Sequence, residues 1–174
     1  MYKKILAAGL ALAALTLAPY SAGASKSGNE IRVEDRCEPD SFNDEVGPGT
    51  CVGDGETTFE EFAEELNPVD FGDDHWRFQA SGSSIKPSES IKVVNKGGEF
   101  HTFTEVAEFG GGCVPELNIP LGLDFAPECA DPELFGSTIL PPLGGTLVVK
   151  GLPRGTHHFI CLIHPWMRTD VVVR

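Results

Sequence analysis

The stretch THHFICLIHPWM, residues 156–167, constrains the fold of this chain more than any other part of it. It begins with β-branched and aromatic residues, which are typical of a strand. It then places Cys161, His164 and Met167 on a C-x-x-H-x-x-M spacing. A thiol, an imidazole and a thioether therefore meet at one strand-to-loop corner. This ligand set is typical of a mononuclear copper site, which uses two histidines, one cysteine and a weak axial methionine.

The second histidine has to come from another part of the chain, which contains five histidines. His75 lies in the acidic stretch DDHW and is expected to be an exposed or edge residue. His157 and His158 lie inside the predicted strand before Cys161, so neither can approach a metal from a loop. His101 follows the turn NKGGEF and opens the β-rich run HTFTEV, which gives it a loop position with a strand behind it. We therefore favour His101 as the fourth ligand.

The chain from Trp76 onward consists of short β-rich runs separated by Gly, Pro and Ser, and this texture predicts an all-β antiparallel sandwich or barrel. Residues 110–142 are predicted to form a long loop. A loop of this length in a compact domain is usually functional or held in place by a crosslink. The predicted strands are residues 76–80, 90–94, 102–106, 146–149, 157–161 and 169–173.

The first 24 residues have the features of a cleaved secretory signal. Lys3 and Lys4 precede an apolar segment at residues 5–18, and Ala-Gly-Ala follows at 22–24. The mature chain is thus expected to be periplasmic or secreted. The alternative is that the apolar segment is retained as a membrane anchor. We predict three regions: a signal peptide at 1–24, an acidic extension at 25–74, and a domain at 75–174.

One short helix is predicted within the acidic extension. Thr58 and Glu61 form a capping box, and Phe59, Phe62 and Leu66 recur on one helical face before an Asn-Pro stop. That face is expected to pack on the following domain.

The five cysteines leave one thiol over if the compartment is oxidising. With Cys161 as the spare thiol, three pairings of the other four are open. We favour Cys37 with Cys51 and Cys113 with Cys129, because each pair closes a short local loop. The first disulfide would staple the extension and the second would tie the long loop.

The charge balance excludes one class of partner and permits another. Removal of the leader, which holds two lysines and no acid, leaves 11 basic against 26 acidic side chains, a formal charge of −15. Nucleic acid is not expected to bind, because phosphate contacts need Lys and Arg. An acidic surface is compatible with a basic redox protein such as a cytochrome, although solubility alone also explains it.

The two motifs NKGGEFH and CLIHPWM, some sixty residues apart, resemble the small blue copper proteins of the cupredoxin family. The second motif is most similar to the short metal loop of amicyanin and is shorter than that of plastocyanin. The resemblance covers residues from about 76 to 174. It implies a Greek-key sandwich of eight strands and one type 1 copper ion. The implied ligands are His101, Cys161, His164 and axial Met167.

The resemblance also implies roles for the neighbours of these ligands. His164, between hydrophobic neighbours, would present its outer edge to a partner and serve as the electron port. The residue after the first histidine is often Asn in the family, where it ties the two ligand loops together, and here it is Thr102. Arg168, directly after the axial methionine, would favour the reduced state if it is not paired.

The expected function is that of an extracytoplasmic type 1 copper protein that passes single electrons between redox partners and is not an enzyme. The mature chain is expected to be a monomer without membrane insertion. The main alternative is a copper carrier or sensor without a role in electron transfer. Transport sites are commonly rich in Met or His, however, and the mature chain has a single methionine, Met167. A multicopper oxidase is disfavoured because the chain has no H-x-H pair.

Overall fold

The computed structural model of the protein describes residues 29–82 and 84–174, and the predicted signal peptide lies outside these ranges. Within these ranges the chain forms ten strands, four α-helices and one 3-10 helix. The strands are β1 (Glu30–Glu34), β2 (Arg77–Ala80), β3 (Ser84–Ile85), β4 (Ser90–Asn95), β5 (His101–Thr102), β6 (Thr104–Val106), β7 (Ile139–Leu140), β8 (Thr146–Lys150), β9 (Gly155–Ile160) and β10 (Arg168–Val173). The α-helices are α1 (Pro39–Glu45), α2 (Phe59–Glu64), α3 (Pro115–Leu121) and α4 (Pro132–Thr138), and the 3-10 helix is Pro127–Ala130.

Eight of these strands form two four-stranded sheets, in the orders β2-β1-β4-β8 and β3-β10-β9-β6, and β5 pairs with β7 as a small ribbon. Five of the six predicted strands are present with slightly different bounds, and the sixth, predicted at residues 102–106, is divided into β5 and β6, which lie in different sheets. Most strand pairs are antiparallel, as predicted, but β1 runs parallel to β4 and β3 runs parallel to β10.

The core lies between the two sheets and follows from the alternation of apolar residues along the strands. Val33 and Val93 contribute from the first sheet, and Phe159 and Val171 from the second. The ring of Phe103, between β5 and β6, stacks on Phe159 with the ring centroids 4.3 Å apart. This packing connects the chain directly after β5, which begins at His101, with β9, which ends directly before Cys161.

The segment predicted as an acidic extension takes part in the sandwich. Strand β1 lies inside the first sheet, between β2 and β4. In the strand register, Val33 pairs with Phe78 of β2 and with Asn95 of β4. Ile31 and Val33 are buried because they alternate with polar residues on this strand. The region from residue 30 onward is thus continuous with the fold, whereas the sequence predicts a boundary after residue 74.

The predicted capping box is confirmed. The Thr58 hydroxyl accepts from the Glu61 N–H, and the Glu61 carboxylate accepts from the Thr58 N–H. The helix that it begins, α2, packs by Phe62 against Trp76, with ring centroids 4.7 Å apart. A second helix, α1, was not predicted, and its Phe42 stacks on Trp76 at 5.7 Å. The extension therefore carries two helices that share one aromatic cluster.

Both favoured disulfides are present, Cys37–Cys51 and Cys113–Cys129, and Cys161 is the one free cysteine among the described residues. The second bridge ties the region between 110 and 142. That region is more ordered than the sequence suggests, because it contains α3, the 3-10 helix, α4 and β7.

His157, on the second sheet, pairs with Glu105, and this pair predicts a pH-dependent contribution to the stability of the fold. Glu105 and the Pro153 carbonyl lie 2.6 and 2.8 Å from the ring nitrogens of His157 and raise its pKa. Because the pKa of His157 is higher in the folded state than in the unfolded state, the protonated histidine stabilises the fold. This stabilisation is complete at a pH below the unfolded-state pKa of about 6.5, and it is lost as the pH rises through the folded-state pKa. Since Glu105 is half exposed, we expect Glu105→Gln to cost about 0.2–1 kcal/mol at pH 6.

Urea unfolding of the metal-free protein at pH 6 and pH 9 measures this difference. The cost of Glu105→Gln should be smaller at pH 9, and Glu108→Gln, at an exposed acid nearby in sequence, is the control. A cost that grows with pH would contradict the assignment.

None of the helices within residues 29–82 and 84–174 combines the length and the apolar character that a membrane crossing requires.

Candidate metal centre

Three of the four predicted ligands converge on one buried point. Cys161, at the end of β9, lies with its Sγ 3.8 Å from Nδ1 of His101 and 3.8 Å from Nδ1 of His164. The ligand atoms of all three residues lie within 4.8 Å of one another. Each of the three side chains is buried. The structure thus joins the start of β5 to the loop between β9 and β10.

The donor set fits a soft metal ion. In zinc sites the metal lies about 2.0 Å from nitrogen and about 2.3 Å from sulfur. If the two bonds meet at a trigonal angle of about 120°, the nitrogen and sulfur atoms lie about 3.7 Å apart. The observed distances of 3.8 Å match this separation. One thiolate with two imidazoles is the equatorial set of a blue-copper site.

The ionisation of the cluster also suits a metal. Burial raises the pKa of the Cys161 thiol, but hydrogen bonds and charge from His101 and His164 outweigh it and hold that pKa well below its ordinary value. Burial lowers the pKa of His101, whereas Asp35 and Cys161 raise it, with a net rise to about 10. The direction of both shifts favours a Cys161 thiolate beside a protonated His101 in the metal-free cluster. A cation that bound there would displace the His101 proton, because metal ligands have to be deprotonated.

Met167 closes the loop that carries the other two ligands. Its N–H donates to the His164 carbonyl at 3.0 Å, and its carbonyl accepts from the Cys161 N–H at 3.0 Å. The side chain is buried, with 1 % of its surface exposed. The loop is therefore tight before any ion binds, and Met167 is on the same loop as Cys161 and His164.

Thr102 ties the two ligand loops together. Its hydroxyl accepts from the Leu162 N–H at 2.7 Å, and its own N–H donates to the Cys161 sulfur at 3.3 Å. A second backbone donor, the His164 N–H, lies 3.5 Å from the same sulfur. The threonine thus makes the link for which the family often uses Asn, and two N–H groups favour the thiolate.

We expect Thr102→Val to destabilise the protein by about 1–3 kcal/mol, because it leaves the buried Leu162 N–H without an acceptor while preserving shape. Urea unfolding measures the loss. Thr146→Val, on an exposed position of β8, is the matched control. Equal effects of the two substitutions would show that the Thr102 hydroxyl does not tie the loops.

Asp35 is a functional residue that the sequence did not predict. Its carboxylate is 1 % exposed and lies 2.8 Å from Nε2 of His101. It also accepts from the N–H groups of Gly98 and Glu99 at 2.9 and 3.1 Å. Burial raises the pKa of Asp35, but the bonds from His101 and the backbone outweigh it and hold that pKa below its ordinary value. A carboxylate on the outer nitrogen of a ligand histidine fixes the tautomer and the ring orientation.

The turn before His101 packs closely against Asp35 and its neighbours. A side chain at Gly97 would collide with the Asp35 carboxylate, and one at Gly98 would collide with Gly53 and Cys37. Asn95 fastens the turn from within, because its amide donates to the Glu99 and Leu140 carbonyls. The glycines of NKGGEFH thus allow the N-terminal segment to pack directly on the first ligand loop.

The implied exposure of His164 was wrong. Only 3 % of this residue is exposed. Its Nε2 faces the Glu99 carboxylate at 3.5 Å, and the ring of Phe62 lies edge-on at 6.5 Å between centroids. Glu99 also accepts from the Trp76 indole at 2.5 Å, and burial, ahead of the opposing charge of His164, raises its pKa. Helix α2 and Glu99 thus cover the edge that the family leaves open.

Arg168 has no carboxylate partner within the part of the chain that the structure describes. Its guanidinium donates to the Pro165 and Gly110 carbonyls at 2.7 and 2.8 Å and lies 4.9 Å from the centre of the Phe71 ring. The charge beside Met167 is therefore held in place without being neutralised.

The remaining histidines lie elsewhere, in agreement with the prediction. His75 is exposed and is bonded to Asp73 at 2.9 Å. His157 pairs with Glu105, and His158 pairs with Asp170 at 2.6 Å.

Comparison with known proteins gives structural matches only. No protein family model matches the chain, and neither does any curated protein. The purple cupredoxin from Nitrosopumilus maritimus is 14% identical, with 84% of this chain and 99% of that chain covered and a TM-score of 0.40. The oxidised plastocyanin from Dryopteris crassirhizoma is 16% identical, with 83% and 99% covered and a TM-score of 0.39. The amicyanin from Paracoccus versutus is 15% identical, with 55% and 72% covered and a TM-score of 0.32.

The chain is thus similar in structure to cupredoxins, the family that its two motifs resemble. All three TM-scores are below 0.5, so these similarities carry no conclusion about function.

Proposed function

We propose that the chain is an extracytoplasmic protein that binds one type 1 copper ion through His101, Cys161, His164 and axial Met167 and passes single electrons between redox proteins. The observation that carries this proposal is the convergence of two Nδ1 atoms on one buried sulfur, each at 3.8 Å. A copper ion bound there supplies a one-electron couple.

The surrounding residues favour electron transfer because they hold the ligands in place without the metal. Asp35 fixes His101 from behind, and Glu99 faces the outer nitrogen of His164. Thr102 locks the loop that carries Cys161. A site whose ligands are already oriented changes little between two oxidation states, and small reorganisation favours fast electron exchange.

A copper carrier or sensor is the second candidate, and the burial of the site argues against it. A carrier has to surrender the ion to another protein, which requires a ligand that an incoming group can displace. All four proposed ligands are at most 3 % exposed. A methionine-rich transport site is also absent, since Met167 is the only methionine after the predicted signal peptide.

Two measurements on the copper-loaded mature chain separate these candidates. We expect fast electron self-exchange between the oxidised and reduced forms, measured by NMR line broadening at high ionic strength, where salt screens the repulsion between two acidic copies of the chain. We also expect slow loss of copper to an apo-protein or chelator in excess. Slow self-exchange together with rapid surrender of copper would favour the carrier.

A further inference from the structure

Trp166 lies between the candidate metal site and a surface cleft. Its indole is half-buried and meets the His164 ring edge-on, with centroids 5.4 Å apart. The opposite side of the loop opens into a cleft of about 570 Å³ whose walls include Trp166 and Met167. The cleft is thus lined by an indole that contacts a proposed ligand, His164.

The indole is held in a fixed position. Its N–H donates to the Asp73 carbonyl at 3.1 Å. Gly72 lies against the ring so closely that a side chain there would collide with it, and φ of +97° at Gly72 also favours glycine. On the other side, the ring packs against Phe62 at 5.7 Å. Trp166 is therefore held by one hydrogen bond and by contacts with Gly72 and Phe62.

The cleft also has a charge that would select a partner. Asp70 and Asp74 are exposed on its wall. Of its two arginines, Arg77 is already paired with Glu34 at 2.7 Å, and Arg168 is only half-exposed and donates to backbone carbonyls. Arg168 keeps its positive charge, so the unpaired charges of the cleft are two exposed carboxylates against one half-exposed guanidinium, and their sum is negative. A net negative cleft attracts a cationic surface over about one Debye length.

We propose that this cleft is the docking surface for a one-electron redox protein with a cationic patch, and that Trp166 couples the metal site to that partner in place of the covered edge of His164. One electron crosses in each encounter: the partner is reduced by one electron when the copper site is oxidised, and the reverse, while the indole keeps its bonds and its proton. This proposal rests on the copper function proposed above.

A competing surface lies on the other side of His164. An apolar groove of about 490 Å³ is lined by residues of α1, α2 and α3, among them Phe59, and it reaches His164 and Glu99. Docking there would depend on Phe59 and on the exposed Glu45 at its rim. Two pairs of substitutions distinguish the surfaces. Asp74→Lys reverses a charge at the cleft and Glu45→Lys reverses one at the groove, whereas Trp166→Leu removes an aromatic ring from the cleft and Phe59→Leu removes one from the groove.

The first test uses the metal-free protein, so it does not depend on copper. Hexaamminechromium(III), a redox-inert paramagnetic cation, broadens the NMR signals of nuclei near its binding site. We expect broadening of the Trp166 indole and of residues 70–77 in the wild type, and its loss in Asp74→Lys but not in Glu45→Lys. Broadening centred on α1 and α2 would overturn the docking surface.

The second test measures oxidation of the reduced, copper-loaded protein by tris(phenanthroline)cobalt(III), a cationic oxidant. We expect Asp74→Lys to slow the reaction up to about tenfold at low salt, within the range of electrostatic steering. Trp166→Leu should slow it severalfold and Trp166→Phe should retain the rate, while Glu45→Lys and Phe59→Leu leave it unchanged. Slowing by Phe59→Leu but not by Trp166→Leu would overturn the coupling role.

The visible spectrum of each variant separates this inference from the proposed function. An unchanged blue band with unchanged rates in Trp166→Leu refutes the role of Trp166 and leaves the copper function standing. Absence of a blue band in the wild type refutes the copper function itself.

Discussion

Cys161→Ser should abolish the blue absorption of the copper-loaded protein completely. The band arises from charge transfer between the thiolate sulfur and copper, and Cys161 is the only free cysteine among residues 29–82 and 84–174. No other sulfur in the cluster can replace it, because the thioether of Met167 carries no charge. Titration of each protein with Cu(II), followed by visible spectroscopy, measures the effect.

The control for this substitution is His75→Ala. His75 is exposed and bonded to Asp73, away from the cluster, so its removal should leave the band unchanged. A blue band that survives in Cys161→Ser would show that the colour comes from a different site.

Asp35→Asn should weaken copper binding about 10–100-fold, the usual cost of removing an outer partner of a ligand histidine. The carboxylate accepts from His101 and from two backbone N–H groups of the ligand turn. An amide has one acceptor oxygen and an NH₂ group that cannot accept, so the variant loses part of this set and the negative charge. Competition with a chelator of known affinity measures the change.

Asp44→Asn is the matched control, since it removes the same charge from an exposed position on α1. It should leave the affinity unchanged. If Asp35→Asn also bound copper as tightly as the wild type, with the same spectrum, the positioning role of Asp35 would be refuted.

The sandwich was largely predictable because its strands from residue 76 onward are short runs rich in β-branched and aromatic residues, separated by Gly, Pro and Ser. Residues 155–160 and 168–173 are examples. Strand β1 was missed because Ile31 and Val33 are only two apolar positions within an acidic segment rich in glycine. Helix α1 was missed for a related reason: it buries a single residue, Phe42. Both elements are stabilised by contacts with residues far along the chain, which local composition does not reveal.

The same reasoning explains what was predictable at the metal site. Cys161, His164 and Met167 share one loop, so their spacing is visible in the sequence. His101 was found because it alone combines a loop and a strand. Asp35 is 66 residues from its partner His101, and no spacing rule connects them. Glu99 could have been noticed as an acid two residues before a ligand in a glycine turn. The covered edge of His164 depends on packing of α2, which only the tertiary structure shows.

The most direct test of a type 1 copper site in this chain is the visible spectrum of the purified mature protein during titration with Cu(II). The geometry predicts an intense blue band that saturates at one copper ion per chain and disappears on reduction. A protein whose two disulfides are intact and whose Cys161 is reduced, as shown by thiol counting, but which develops no such band would contradict it.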